Sequence, residues 1–271
     1  MNERVKVEVA DHVATVTLNR PDKHNALDGP MFEGILAAVD EVASTRGVRA
    51  VVLHGAGPSF CSGLDVGAIA DPNSSVSMQQ LLERKEGRRG NMAQRVCTEW
   101  IDLPMPVIAA IHGNCFGGGL QIALGADIRF AAPDARLSIM ESKWGLVPDM
   151  GITQTLPRLL PIDLAKELTF TARIVSGEEA QRLGLVTHVA DDPLAAAVEL
   201  AREIAARSPD SMRAIKRLYN SAWVDGSEEP LRLETELQLR LIGSPNQMAA
   251  VAAGMTGKPG EFADPEPERR S

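Results

Sequence analysis

Between Val5 and Leu18 apolar and polar positions alternate on either side of Asp11-His12, as Val5-Lys6-Val7-Glu8-Val9 and Val13-Ala14-Thr15-Val16-Thr17-Leu18. A period of two with a polar break predicts a β-hairpin. Arg20 to Asn25 then reads as a loop. Asp28 stands where it would cap an amphipathic helix with the stripe Met31, Phe32, Ile35, Leu36, Val39 and Val42. Val48 to Leu53 is a β-branched run closed by Gly55-Ala56-Gly57-Pro58, which suits a buried strand entering a loop. Pro106 to His112 predicts another such strand, followed by Gly113 to Gly119 and an apolar helix from Leu120 to Gly125. Leu137 to Met140 reads as a short strand, and helices are predicted over Ile152 to Leu160, Ile162 to Thr171, Gly177 to Leu183, Pro193 to Ala206 and Pro209 to Ala222. Strands concentrate early and helices late. Asp71 to Ser77 is polar and Glu83 to Arg95 highly charged, so this stretch is expected to be a mobile loop or a solvated helix. The Pro- and Glu-rich tail from Lys258 is expected to be an irregular or partner-docked extension.

Composition narrows the partners. A chain of 271 residues, 44% hydrophobic and 24% charged, can bury a sizeable core and shows no sign of a disordered or fibrous class. A formal charge of -8 disfavours a broad nucleic-acid or anionic-lipid footprint, which leaves small molecules or other subunits. The N-terminus has no apolar run after its charges, and no apolar stretch approaches the ~20 residues that span a bilayer, so a cytoplasmic address without a membrane span is expected. Cys61, Cys97 and Cys115 are odd in number and far apart, which argues against a disulfide framework and a zinc knuckle; no metal site is expected.

Two segments share one design, a buried strand running into a glycine-containing turn whose N–H groups can point away from the sheet. They are Phe60-Cys61-Ser62-Gly63-Leu64-Asp65 and Gly113-Asn114-Cys115-Phe116-Gly117-Gly118-Gly119-Leu120. The second opens a helix whose first N–H groups have no intrahelical partner and so favour negative charge. No Lys-Ser/Thr follows the glycines, so a phosphate-loop reading is weak, and Phe60 stands where a dinucleotide fingerprint needs its third glycine. There is no Gly-x-Ser-x-Gly elbow and no histidine pair at metal-ligand spacing.

The ordered set of motifs resembles the crotonase (enoyl-CoA hydratase/isomerase) family. It comprises the loop Leu18-Asn19-Arg20-Pro21-Asp22-Lys23-His24-Asn25-Ala26-Leu27, the two glycine turns, Ala126-Asp127-Ile128-Arg129, and the stretch Glu141 to Gly151. The resemblance runs from about Val5 to Phe262. It implies an α/β fold with a β-β-α spiral core and a C-terminal helical trimerisation region, placed here as residues 1–200 and 201–271. It also implies an acyl-CoA substrate, with coenzyme A part of the thioester and no prosthetic group, and a homotrimer or dimer of trimers. Carried over by residue, the two oxyanion-hole N–H donors fall on Leu64 and Gly118. Arg20, Lys23, His24 and Ser62 join them as candidate coenzyme A contacts.

The acid/base positions depart from the standard hydratase, which the resemblance gives two glutamates. The second matches Glu141, whereas the first is Gln121, which cannot exchange a proton near neutral pH but can hydrogen-bond water or substrate. One carboxylate suffices to move a double bond, so an enoyl-CoA isomerase using Glu141 is the leading expectation. A hydratase in which Gln121 orients water and a non-catalytic acyl-CoA-binding protein are the alternatives. Asp149 is spaced after Glu141 like the aspartate of dienoyl-CoA isomerases, and it could equally cap a helix near Met150-Gly151-Ile152.

Overall fold

The computed structural model describes residues 4–71, 75–222 and 228–265. The strands are β1 (Val5–Ala10), β2 (Val13–Leu18), β3 (Ala50–Gly55), β4 (Val107–Ile111), β5 (Asn114–Phe116), β6 (Ile128–Ala131), β7 (Arg136–Ser138), β8 (Val175–Ser176) and β9 (His188–Val189). The helices up to the end of the sheet layers are α1 (Gly29–Ser44), α2 (Val66–Ala70), α3 (Met78–Leu82), α4 (Met92–Asp102), α5 (Gly118–Leu124), α6 (Ile152–Thr155), α7 (Ile162–Thr171), α8 (Gly177–Leu183) and α9 (Pro193–Ala205). Three more follow: α10 (Pro209–Ala222), α11 (Glu228–Leu241) and α12 (Pro245–Thr256).

The expected hairpin is β1 paired antiparallel with β2. From β2 onward the large sheet is parallel, in the order β1-β2-β3-β4-β6-β9. A small sheet, β5-β7-β8, lies beside it and is extended by a parallel bridge between Cys61 and Cys115. Each turn of the spiral thus supplies one strand to the large sheet and one to the small sheet. The first such turn is β3 and the Cys61 bridge, the next β4, β5 and α5, and the next β6 and β7.

Both faces of the large sheet are covered, which is why β3 and β4 read as continuous apolar runs. Val51 and Leu53 of β3 face the main core with Val16, Leu18, Val39 and Trp100. Ala50 and Val52 face the other way, against Ala197, Ala201 and Ala205 of α9. The alanine stripe lets α9 lie close on the sheet. Asp28 caps α1 as expected, its carboxylate accepting from the Met31 N–H at 2.9 Å.

The charged stretch from Glu83 to Arg95 divides in two. Its first part is exposed and non-helical as far as Arg89. Its end belongs to α4, which is not a solvated helix: Ala93, Val96, Cys97 and Trp100 form a buried stripe at helical spacing that the charges around it obscure. Asn91 and Gln94 close a reciprocal capping box at its start. The three cysteines are free and buried. Among the described residues no helix is long and apolar enough to cross a membrane. The tail folds back as far as Asp264, whose carboxylate accepts from buried Arg49 at 2.7 Å; the expectation for residues 266–271 lies outside the described residues.

Candidate active site

The loop from Arg20 to Asn25 fixes the first glycine turn. Asn25 is buried, with its Oδ1 accepting from the Arg20 N–H at 2.7 Å and its Nδ2 donating to the Ala56 and Ser59 carbonyls at 2.9 and 2.7 Å. Asn25 has φ +54°, a left-handed conformation that Asn tolerates better than most residues. Next in the chain, the Leu27 N–H donates to the Gly63 carbonyl at 2.8 Å and the Asp65 N–H to the Leu27 carbonyl at 3.0 Å. The N–H between them, that of Leu64, has no acceptor among the described residues.

The two turns are held together by the bridge of Cys61 with Cys115, in which the Cys61 N–H donates to Asn114 and the Phe116 N–H to Cys61, both at 3.0 Å. The strands then part at Gly63 (φ +90°) and Gly117 (φ +51°), conformations that L side chains rarely adopt. A Cβ on Gly63 would lie 2.8 Å from the Phe116 carbonyl oxygen and 3.8 Å from the Gly118 nitrogen, so the turns are in contact. Gly118 opens α5, and its N–H also lacks an acceptor among the described residues. Two backbone donors without an acceptor among the described residues therefore lie on adjoining turns.

Glu141 arrives from the next turn of the spiral. Register aligns Cys61 with Cys115 and Cys115 with Leu137, and the functional groups follow these aligned residues closely: Leu64 by three, Gly118 by three, Glu141 by four. Glu141 begins a tight helical turn after β7 and is buried. A Cβ on Gly117 would lie 3.3 Å from its Oε1, which places the carboxylate over the glycine preceding Gly118. Oε1 accepts from the Gln121 Nε2 at 2.6 Å, whereas buried Oε2 has no hydrogen-bond partner among the described residues. Burial pushes the Glu141 carboxyl above the usual carboxylate range; the charge of Asp149 adds to the rise and the Gln121 amide opposes it.

Gln121 is 1% exposed, and its Oε1 accepts from the Met150 N–H at 2.9 Å. Asp149 is exposed, yet the protein around it withdraws enough water to raise its carboxyl too. It does not cap α6, whose N-cap is Gly151 with no side-chain bond. Arg20 is buried: its Nη1 donates to the Asp65 carboxylate at 2.8 Å and to the Ala26 carbonyl at 3.0 Å, and its Nε lies 3.4 Å from Asp28. That placement makes it a strut under the loop, turned away from solvent, and leaves its expected contact with coenzyme A unsupported. Lys23 and His24 are exposed, with His24 Nδ1 bonded to the Ser59 hydroxyl at 2.9 Å, and the Ser62 hydroxyl donates to the Lys23 carbonyl at 3.4 Å.

Sequence reasoning did not single out Asn25 or Met150. The first carried a signal, a lone Asn between a Pro-containing turn and a helix cap; Met150 carried none, because its part is played by a backbone N–H.

The sequence from residue 8 to residue 258 matches the model of a family described as enoyl-CoA hydratase/isomerase. Mitochondrial methylglutaconyl-CoA hydratase of Mus musculus is 32% identical over 257 residues, which cover 92% of this chain and 79% of that protein. Enoyl-CoA hydratase EchA19 of Mycobacterium tuberculosis is 33% identical over 238 residues, 87% of each chain. The crystal structure of an enoyl-CoA hydratase from Bacillus anthracis superposes with a TM-score of 0.85 at 28% identity, covering 98% of this chain and 100% of that one.

Proposed function

The chain belongs to the enoyl-CoA hydratase/isomerase family and acts on acyl-CoA thioesters, and from that premise we propose that Glu141 is its single acid/base, shifting a double bond from the β,γ to the α,β position. The observation that carries this reading is the state of Glu141: buried, raised in pKa, with one oxygen held and the other unpartnered beside the Gly118 turn. A carboxyl raised toward neutrality is suited to take a proton and give it back.

In this reading the thioester oxygen accepts from the N–H groups of Leu64 and Gly118. Glu141 takes the α-proton, and the C–H electron pair moves into a dienolate whose oxygen charge the two donors stabilise, each by about 3–4 kcal/mol. The Glu141 carboxyl, whose proton can exchange with water while the dienolate is held, then protonates the γ-carbon, which leaves the conjugated thioester. No water is consumed and no prosthetic group is needed; coenzyme A enters and leaves as part of the substrate. Lys23, His24 and Ser62 stand at the loop beside Leu64, where the coenzyme A moiety would pass. The exposed Leu231, Leu239, Ile242 and Met255 of the C-terminal helical region support assembly into a homotrimer or dimer of trimers.

Hydration of an α,β-enoyl-CoA is the second reading, favoured by the relatives named as hydratases and by the raised Asp149 carboxyl, which would be the second acid. Turnover of β,γ- and α,β-enoyl-CoA in labelled water separates them. The isomerase reading expects solvent hydrogen at the α- or γ-carbon and no solvent oxygen in product, with exchange lost in Glu141→Gln. Efficient incorporation of oxygen into a 3-hydroxyacyl product would establish the hydratase instead.

A further inference from the structure

The structure assigns Gln121 as a positioning residue that pins Oε1 of Glu141 and leaves Oε2 as the oxygen that carries the proton. The orientation of its amide is not free. Met150 offers an N–H, so the end of the amide 2.9 Å away must be its oxygen, and the end 2.6 Å from Glu141 Oε1 must be its NH2 group. The flipped amide would set oxygen against carboxylate oxygen and NH2 against N–H, two repulsions in a place almost closed to water.

Gln121 also ties the base to the oxyanion donor. It lies three residues after Gly118 on α5, one turn along the same helix, and its own N–H donates to the Gly117 carbonyl at 3.0 Å. The Gly118 N–H, the Gln121 amide and Glu141 therefore form one frame, which the Met150 N–H closes on the far side. Held through Oε1, the carboxylate cannot rotate to exchange its oxygens without breaking its one side-chain bond. Oε2, buried and without a partner among the described residues, remains to face a substrate carbon. Where the standard hydratase has a second proton donor, this chain has a clamp.

The amide donates only to the ionised or oxygen-accepting face of Glu141, so it holds the carboxyl down against the upward push of burial. Removing the donor should raise Glu141 further, by about one to two pH units, the worth of one hydrogen bond to a charged group. Gln121→Met removes the donor at similar volume. Gln121→Glu keeps an acceptor for the Met150 N–H but sets a second carboxyl against the first, so the pair must share a proton and one of its two titrations rises steeply. This inference deepens the proton-shuttle reading above and rests on it only for its kinetic part.

The test is an NMR titration of protein carrying carbon-labelled glutamate, with the Glu141 carboxyl assigned by its loss in Glu141→Gln. Alongside it, kcat and KM for α-proton exchange are measured against pH. Expected are an upward move of the Glu141 titration in both Gln121 variants, an acidic limb of kcat/KM displaced to higher pH by the same amount, and a kcat lowered by up to about 100-fold with KM nearly unchanged. A merely structural Gln121 would lower the melting temperature and leave the titration where it is. An unmoved or lowered Glu141 titration in both variants overturns the assignment. Should Gln121→Met fail to fold, Gln121→Glu decides alone. Absence of α-proton exchange in the wild type, with the titration moving as expected, would sink the isomerase reading and leave the clamp standing.

Discussion

Replacing Glu141 by Gln should abolish activity and at the same time stabilise the protein, and the second effect should depend on pH in a defined sense. The wild-type carboxylate is buried, with Oε1 receiving one donor at 2.6 Å and Oε2 none. A glutamine at 141 keeps the bond from Gln121 to its side-chain oxygen and still leaves one polar atom without a partner, so the hydrogen-bond count does not change. What changes is the buried charge. Relief of that charge is worth about 1–2 kcal/mol, the usual scale for an ill-satisfied buried group and for single stabilising substitutions. In a chain of this size that is a rise of roughly 2–4 °C in Tm.

The sign with pH follows from the raised carboxyl. A group that binds its proton more tightly folded than unfolded favours the native state at low pH, and that advantage is lost as pH rises through the folded value. Below about pH 4, the ordinary glutamate value, wild type and variant are both neutral at this position and should melt alike. The gap should widen from about pH 4 up to the elevated Glu141 titration, as the unfolded chain ionises first, and then stay constant. Thermal unfolding of both proteins between pH 4 and 8, with α-proton exchange measured in parallel, checks this. Activity should fall by about 10²–10⁴-fold. A variant that is less stable at pH 8, or a gap that does not vary with pH, would refute the argument that burial raises Glu141.

Asp149→Asn removes a charge that pushes Glu141 up, so the acidic limb of the pH profile should move to lower pH with little loss of kcat; a loss as large as that of Glu141→Gln would instead make Asp149 a second acid. Arg20→Met leaves Asp65 and Asp28 without their buried partner and should cost about 3 kcal/mol in urea unfolding, while the folded variant keeps its affinity for coenzyme A. Unchanged stability with weakened coenzyme A binding would return Arg20 to a phosphate-contacting role. Gly63→Ala forces a side chain into φ +90° with its Cβ 2.8 Å from the Phe116 carbonyl oxygen, so a loss of about 1–3 kcal/mol and a fall in kcat of about tenfold or more are expected. Wild-type kcat in this variant would mean that the two turns need not meet as closely as they do.

Much of the fold was legible because its elements are long enough to show a period. The hairpin, the Asp28 cap, and helices α7, α8 and α10 stand where the apolar spacing puts them. Of the small sheet only β7 was legible, as the short strand expected from Leu137; β5 and β8 are three and two residues, too short for any alternation to register. The buried face of α4 was hidden by flanking charge, although the spacing of Ala93, Val96, Cys97 and Trp100 was present to be counted. At the site, sequence supplied side chains but not their partners. Arg20 reads as a phosphate ligand until Asp65, 45 residues away, is seen to hold it, and the bond from Met150 to Gln121 spans 29 residues.

The division of labour between backbone and side chains explains why membership of the family does not fix the reaction. The donors on Leu64 and Gly118 are backbone groups set by strand register, three residues after Cys61 and Cys115, so any side chain compatible with the turns leaves them in place. A slip of one residue would carry a donor about 3.3 Å, far beyond the roughly 1 Å that already costs a catalytic site heavily. On the reading proposed above, the scaffold therefore guards stabilisation of a thioester enolate. What becomes of the enolate is left to the few side chains that face it, and those can change without disturbing the turns. Gln121 and glutamate have nearly the same shape, and the Met150 N–H can donate to the side-chain oxygen of either, so exchanging one for the other need alter no packing. What changes is the hydrogen bonding and proton inventory at Glu141: the amide donor to its Oε1 is lost and a second proton becomes deliverable. With glutamine there, the amide spends one end on Met150 and the other on Glu141, and on the isomerase reading proposed above the chemistry narrows to what one carboxylate can do: lift a proton from one carbon and set it down on another.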